Sequence, residues 1–391
     1  MNHELTEEQR ILKDVIHKFA ETQLRPEGAE LDKNPEPNDR VPRSSLAVAL
    51  SSLKIGAAFV PVEYGGTGHG IQELAIMAEE LAWGDLGFVY LSMGNMHSAP
   101  PIIRHGNEAQ KSQWLRAMAG NDRPGILVAA ALTEPDTGAN IFSPDPKHGI
   151  RTTAVLDNNE YVLNGRKCFI NNAGLADLYL VWARTNLEKG AYDGGISVFL
   201  VPADTPGLKI GRMEDMMGIR TSRQAEVILE DCRVPRENLL GEEGQGIQQA
   251  LDTLPQVLTL MGAASVGVAR AAYETANSYA ASRLSEGKPI KEYQAVNHKL
   301  IDMAIQIEAA RALVWKSACL NDHNGPDYKL AFMSKIFGSE MAVHVTGEAV
   351  RLMGAYGYSR EYPVEKYMRD AMSLQANGPN AVSRNHLAMF I

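Results

Sequence analysis

Apolar residues recur at helical spacing over the first 125 positions. In "LTEEQRILKDVIHKF", Ile11, Leu12, Val15, Ile16 and Phe19 share one face, and Thr6 and Gln9 stand ahead of them at capping-box spacing. The three prolines of "NPEPNDRVP" break that pattern, and a second helical run leads to "FVPVEYGGTGHG". Further helices are predicted over roughly 71–83 and 107–119. From about Ile126 the period shortens to two. "TTAVL", "EYVLNG", "LYLVWART", "GISVFLVP" and "AEVILEDCRVP" are short β-branched and aromatic runs parted by Gly, Asn and Asp. No helix-length segment separates them, so they predict an antiparallel module, not a doubly wound sheet. After "GEEGQG" (241–246) helical periodicity returns, with small residues in "GAASVGVARAAYETANSYAASR" suited to close helix contacts. The pattern predicts an α+β chain: a helical N-terminal domain (1–125), an antiparallel, barrel-like β middle domain (126–240) and a C-terminal helical bundle (241–391).

Composition narrows the functional class. The 391 residues are 45% hydrophobic and 22% charged, an ordinary globular balance. A net charge of −9 with interspersed signs offers no basic face for phosphates, which argues against nucleic acid. Cys168, Cys232 and Cys319 form no CxxC and suit a reducing compartment. The polar N-terminus lacks a signal-peptide core, and no apolar run approaches the roughly 18 to 20 residues of a membrane span. A cytoplasmic protein with no membrane association is the expectation.

Generic motifs carry little. "GGTGHG" (65–70) lacks the Lys-Ser/Thr of a phosphate loop and reads as a turn between helices, and "GEEGQG" reads as the β-to-α linker. The ten histidines form no compact ligand spacing, so His97 and His105 read as packed or exposed residues and no metal is expected. No GxSxG elbow is present.

Five longer stretches, in order, resemble the acyl-CoA dehydrogenase family over essentially the whole chain. "LTEPDTGAN" (132–140) resembles its T-E-P-x-x-G-S-D loop, and "YVLNGRKCFINNAGLADLYLVWART" (161–185) its "NGxKxWITN" strand. "MMGIRTSRQAEVILEDCRVPRENLLGEEGQG" (216–246), "SRLSEGKPIKEYQ" (282–294) and "AVRLMGAYGYSREYPVEKYMRDA" (349–371) resemble the family's later motifs. The resemblance implies the family fold, with a C-terminal four-helix bundle. It implies FAD bound between the middle and C-terminal domains, an acyl-CoA substrate, an electron-transfer flavoprotein as partner, and a homotetramer whose neighbouring subunit completes the FAD site.

Carried over residue by residue, Leu132 and Thr133 stand where backbone and hydroxyl meet the flavin ring. Arg283 and Gln294 stand where a neighbouring subunit reaches the FAD phosphates and adenosine. Gly354 and Gly357 lie in a turn that admits the cofactor. Elsewhere the chain departs from the pattern: Phe169 replaces Trp, Asn171 Thr, Ala139 Ser, Glu286 Phe, Arg351 Gln and Ala355 Gly. Glu286 near the phosphates would repel them unless Arg351 or another cation compensates. Arg220 and Ser222, in "MGIRTS", border the CoA entrance or order the strand edge.

The family's chemistry removes a proton α to the thioester while a hydride leaves the β carbon, with a carboxylate as base. Its glutamate stands in one of two places, and this chain has an acid in neither. The loop after "RDA" reads Gln375 to Asn380 without one, and the early helix position falls on Leu254 or Val257. The backbone N–H of Asn377 or Gly378 remains able to polarise the thioester carbonyl. Three explanations follow. The base has moved, with Asp252 the nearest acid and Tyr356 and His97 behind it, on a cyclic or branched acyl group for which Gly94, Ala99, Ala376 and Gly378 leave room. Alternatively, the chain is a flavin monooxygenase or desulfinase, or the non-catalytic subunit of a heteromeric dehydrogenase.

Overall fold

The computed structural model describes residues 5–92, 94–120, 124–137, 143–323 and 325–391. Helix α1 (Glu7–Phe19) opens with the expected capping box, in which the Gln9 N–H donates to Thr6 Oγ1 at 3.2 Å and the Thr6 N–H to Gln9 Oε1 at 3.1 Å. Its buried stripe is narrower than the periodicity predicts. Ile16 and Phe19 enter the core, but Ile11 and Val15 are exposed, because α1 packs chiefly against α4. Then follow α2 (Arg25–Leu31), α3 (Arg43–Ser51), α4 (Ile71–Gly84), α5 (Leu86–Ser92), α6 (Gly94–His105) and α7 (Glu108–Ala119). "GGTGHG" is the turn into α4, with Gly65 and Gly68 at positive φ and Gly70 as N-cap.

The middle region holds β1 (Val128–Ala131), β2 (Thr153–Asp157), β3 (Glu160–Asn171), β4 (Leu178–Arg184), β5 (Ile196–Pro202), β6 (Leu208–Met213), β7 (Gln224–Pro235) and β8 (Leu239–Leu240). They form one sheet in the order β6-β7-β3-β2-β4-β5-β8, with β1 beside β4. Most pairs are antiparallel, as predicted. The expectation of a purely antiparallel module needs correction at two places: β1 runs parallel to β4, and β2 meets β4 in parallel at Thr153 and Arg184. The long connection from β1 to β4 makes that direction available. Strand β6 did not stand out in the sequence because its exposed positions are charged, as edge strands commonly are.

The C-terminal helices are α8 (Gly246–Ser282), α9 (Gln294–His323), α10 (Tyr328–Met353), α11 (Ala355–Tyr358), α12 (Val364–Ala376) and α13 (Asn380–Leu387). Between α8 and α9 a small hairpin pairs β9 (Leu284–Ser285) with β10 (Lys288–Pro289). Helix α8 is long and apolar enough by length and composition to cross a membrane, which corrects the sequence expectation. However, 67% of its most apolar window is buried, and it packs against α4, α9 and α10 as a bundle core.

The three regions meet at one buried charge cluster. Lys366 of α12 lies 2.8 Å from the Asp85 carboxylate and 2.6 Å from that of Asp370. Asp85, at the end of α4, accepts from the Phe88 N–H at 2.8 Å and from the Thr221 hydroxyl. Asp370 accepts from the Ile219 N–H at 2.5 Å. Burial opposes the Lys366 charge, but the two carboxylates outweigh it and raise its pKa, while burial pushes the Asp370 carboxyl up against the pull of Lys366. Close approach here depends on glycine: a Cβ at Gly87 would strike Thr221, and one at Gly218 the Arg369 carbonyl. Lys366→Met leaves two carboxylates buried without their cation and is expected to cost about 3–5 kcal/mol. A calorimetric melting midpoint equal to that of the parent chain would contradict this.

Candidate active site

A cavity of about 420 Å³ opens where the sheet, the 216–224 loop and the C-terminal end of α12 come together. One wall comes from the segment after β1 and from the end of β3: Thr133, Glu134, Cys168, Phe169 and Asn171. The facing wall comes from Ser373 and the turn from Ala376 to Pro379, with Met216, Ile219 and Gln224 between them and Tyr90 at the back. Beyond Tyr90 and Asn377 lies an apolar pocket of about 40 Å³, lined by Val89, Met96, Leu260, Met261, Ala264 and Leu374.

The β-side wall is strained and polar in the manner of a binding surface. Phe169 sits at φ 55° with its ring half exposed, and the register between β3 and β7 slips beside it. The buried Asn171 Oδ1 has no hydrogen-bond partner among the described residues. Glu134, although it lines the cavity, is already engaged. It accepts from Lys167 at 2.8 Å, from the Thr152 N–H at 3.0 Å and from the Arg151 N–H at 2.7 Å. Burial would raise its pKa, yet these partners, with Lys167 foremost, hold it below the usual carboxylate range. Lys167 is pushed down to about 8 by burial, against the pull of Glu134. It also donates to the Leu132 carbonyl at 3.2 Å, so Leu132 anchors the wall through that group and does not line the cavity.

The facing turn offers one backbone donor. The Asn377 N–H is used on the Ser373 carbonyl at 2.9 Å and Pro379 has none, but the Gly378 N–H has no partner among the described residues. Of the two expected donors, Gly378 is therefore the available one, while Asn377 lines both cavities with its side chain. Tyr90 was not singled out from the sequence. Its hydroxyl lies 3.5 Å from Ser373 Oγ, and burial pushes its phenol up, so it remains protonated.

Asp252 does not fit the role of relocated base. Its carboxylate is bound by His105 at 3.0 Å and Gln248 at 2.6 Å on the α6–α8 contact, and it is not among the cavity-lining residues. Tyr356 is half exposed near Arg283, also away from the cavity, and the His97 side chain and Ala139 lie outside the described residues. Ser222 donates to the Ile219 carbonyl at 2.7 Å and Arg220 to the Asn34 carbonyl at 3.2 Å, so both order the 216–222 wall from behind.

Arg283, Gln294, Arg351 and Gly354 do not reach this cavity within one chain. Arg283 closes α8 with its guanidinium 5.9 Å from the Tyr356 ring centroid, and Gln294 opens α9. Arg351 pairs with Glu348 rather than offsetting Glu286, which forms the hairpin turn with Gly287. Gly354, at φ 60°, terminates α10 with open space where a side chain would stand.

The residues present fit a flavin ring on the β-side wall: an exposed aromatic face, a Thr133 hydroxyl with no partner among the described residues and an unpartnered amide oxygen. The comparisons with known proteins agree. Family models described as the N-terminal, middle and C-terminal domains of acyl-CoA dehydrogenase match residues 6–122, 129–232 and 244–391. The short-chain specific acyl-CoA dehydrogenase of Megasphaera elsdenii is 38% identical over 388 residues, 98% of this chain and 97% of that protein. The acryloyl-CoA reductase (NADH) of Anaerotignum propionicum is 37% identical over 375 residues, 95% and 91% of the two chains. The solved butyryl-CoA dehydrogenase of Megasphaera elsdenii superimposes with a TM-score of 0.91 at 36% identity, covering 100% of this chain and 99% of that one. Removing the unpartnered amide by Asn171→Leu is expected to weaken flavin retention about three- to tenfold, the worth of one hydrogen bond. The ratio of visible to ultraviolet absorbance after dialysis measures it, and an unchanged ratio would exclude Asn171 from the flavin site.

Proposed function

The chain belongs to the acyl-CoA dehydrogenase family of FAD-dependent oxidoreductases acting on CH–CH groups, and from that premise we propose that its substrate is a short acyl-CoA thioester. The observation that carries this reading is the opposition of two walls in one cavity. Thr133, Phe169 and Asn171 face the Gly378 turn, and a small apolar pocket leads off between them. Bound against the β-side wall, FAD supplies a two-electron acceptor for the hydride of the substrate's β carbon. The Gly378 N–H donates to the thioester oxygen and so acidifies the α carbon. Tyr90 and Asn377 frame the acyl chain as it enters the apolar pocket. The pocket is narrow and apolar, and that favours a short straight chain over the cyclic or branched group expected from the sequence.

Among the described residues no carboxylate lining the cavity is free, since Glu134 is held by Lys167. The α-proton therefore passes to water in the open cavity, and oxidation runs without the roughly 10²- to 10⁴-fold that a positioned base supplies. A second reading, reduction of an enoyl thioester, runs the same steps backwards, with the reduced flavin as the class of hydride donor for the β carbon. That direction requires protonation of the α carbon, for which water suffices, and a relative bears the name of such a reductase. A homotetramer fits the placement of Arg283, Gln294, Arg351 and Gly354 outside the chain's own cavity, beside exposed Leu284, Ile301, Ile305 and Tyr358. An electron-transfer flavoprotein is the proposed redox partner.

Anaerobic addition of butyryl-CoA to the purified flavoprotein is expected to bleach it slowly, and lauroyl-CoA not at all. Added acetate should accelerate the bleaching by supplying the missing base. A flavoprotein that no short thioester bleaches and no enoyl thioester reoxidises would overturn the reading, and a colourless chain that acquires flavin only with a second subunit would favour the heteromer. Met261→Ala, which enlarges the apolar pocket, should shift the preferred acyl chain to greater length. An unchanged preference across the thioester series would remove that pocket from the substrate path.

A further inference from the structure

Behind the Gly378 turn, on the side away from the cavity, α10 carries a lysine with no room for solvent. Lys335 is fully buried, and no carboxylate among the described residues lies within ion-pair distance of it. Its ammonium donates to the Gly378 carbonyl and, at 2.6 Å, to Asn380 Oδ1. Ser339, one turn further along α10, receives the Asn380 amide at 3.0 Å, and the Ser383 hydroxyl donates to the same Gly378 carbonyl at 3.3 Å. Both hydrogen bonds of the buried ammonium thus go to the junction of α12 and α13, one to the turn and one to the first residue of α13. A methionine would fill the same volume without the cost of removing a charge from water. The charge is accounted for only by what it holds.

Resting on the reading of Gly378 as the thioester donor, we infer that Lys335 is the positioning residue of this site. By gripping the Gly378 carbonyl from behind, it keeps the turn in the conformation that leaves the Gly378 N–H free for the substrate carbonyl. Two features make the grip necessary. Gly378 is at φ 58° with nothing within 4 Å of where a Cβ would be, so no side-chain packing holds it. Asn377 and Pro379 on either side offer no second free donor. The grip is also pH-dependent. Burial pushes Lys335 down to about 8, with Glu340 of α10 raising it and Arg384 of α13 lowering it, and these two are paired to each other at 2.6 Å. No group of α8, α9 or α12 contributes to that shift. Below pH 8 the ammonium is charged and holds the carbonyl strongly; as pH rises through 8 the hold weakens.

The test separates carbonyl recognition from binding in general. Crotonyl-CoA and its thioether counterpart S-crotyl-CoA, which lacks only the carbonyl, are titrated into the holoenzyme by calorimetry. The parent protein at pH 7 is expected to prefer the thioester about tenfold, the worth of a well-placed hydrogen bond. In Lys335→Met that ratio should fall toward one, with S-crotyl-CoA affinity within about twofold of the parent. In the parent protein itself the ratio should decline between pH 7 and pH 9.5, a measurement that does not depend on the variant folding. A ratio independent of pH over that range, or equal in variant and parent, would overturn the inference while leaving the functional reading intact. Failure of both ligands to bind would overturn the two together.

Discussion

A single ammonium shared by two buried carboxylates ties the molecule's three regions into one site. Lys366 on α12 neutralises Asp85 from the N-terminal helices and Asp370 on its own helix, and each carboxylate uses its other oxygen to hold the 219–221 segment of the sheet region. Such a cluster is poor as a source of net stability, since desolvating three charges offsets most of their attraction. Its value is geometric. The Ile219 N–H meets Asp370 with Ile219 at φ 48°, a conformation that a β-branched residue adopts at a cost. That strained residue is part of the cavity wall. The cluster thus fixes Ile219 and Thr221 in that wall, with Arg220, Ser222 and the Arg369 contact to the Met217 carbonyl ordering the rest of the segment.

The second constraint is an outer layer behind each reactive wall. On the β side, Lys167 reaches from β3 to Glu134 and to the Leu132 carbonyl, which fixes the segment that carries Thr133. On the helical side, Lys335 reaches from α10 to the turn that carries Gly378. Both lysines are fully buried, both are pushed down to about 8, and neither lines the cavity. Their environments differ in one respect. Lys167 has a carboxylate partner and makes a closed structural pair, whereas Lys335 has none among the described residues and spends its hydrogen bonds on the Gly378 turn and the start of α13, where the Ser383 hydroxyl assists it.

Much of this was legible in the sequence, and the remainder had a physical reason to stay hidden. The change from helical to alternating periodicity near Ile126, the Thr6–Gln9 cap and the bundle helices are local signals, and local signals survive folding. Motifs such as "MGIRTS" and "EYPVEKYMRDA" marked the right neighbourhoods, but not the partners. Asp85 and Asp370 are 285 positions apart, and only the fold makes them share Lys366. Asp252 is the nearest acid in sequence to the position of the missing base, but in the structure its carboxylate belongs to His105 and Gln248. For Lys335 a faint signal did exist. It stands alone as a cation in "AFMSKIFGSE", on a face whose neighbours Phe332, Ile336 and Ser339 are buried.

The turn without an acid can be understood from its backbone. Three successive peptide nitrogens, at Asn377, Gly378 and Pro379, approach the cavity. The first is bonded within α12 and the third carries no hydrogen, so one donor remains. That donor belongs to a residue at φ 58°, where glycine is unstrained and any residue with a Cβ is disfavoured by roughly 1–2 kcal/mol. An acidic side chain at Gly378 would have to bear that strain. The conformation that frees the N–H is therefore the same one that discourages a carboxylate there. The backbone of this turn thus accounts for both the free donor and the missing acid that the functional reading rests on.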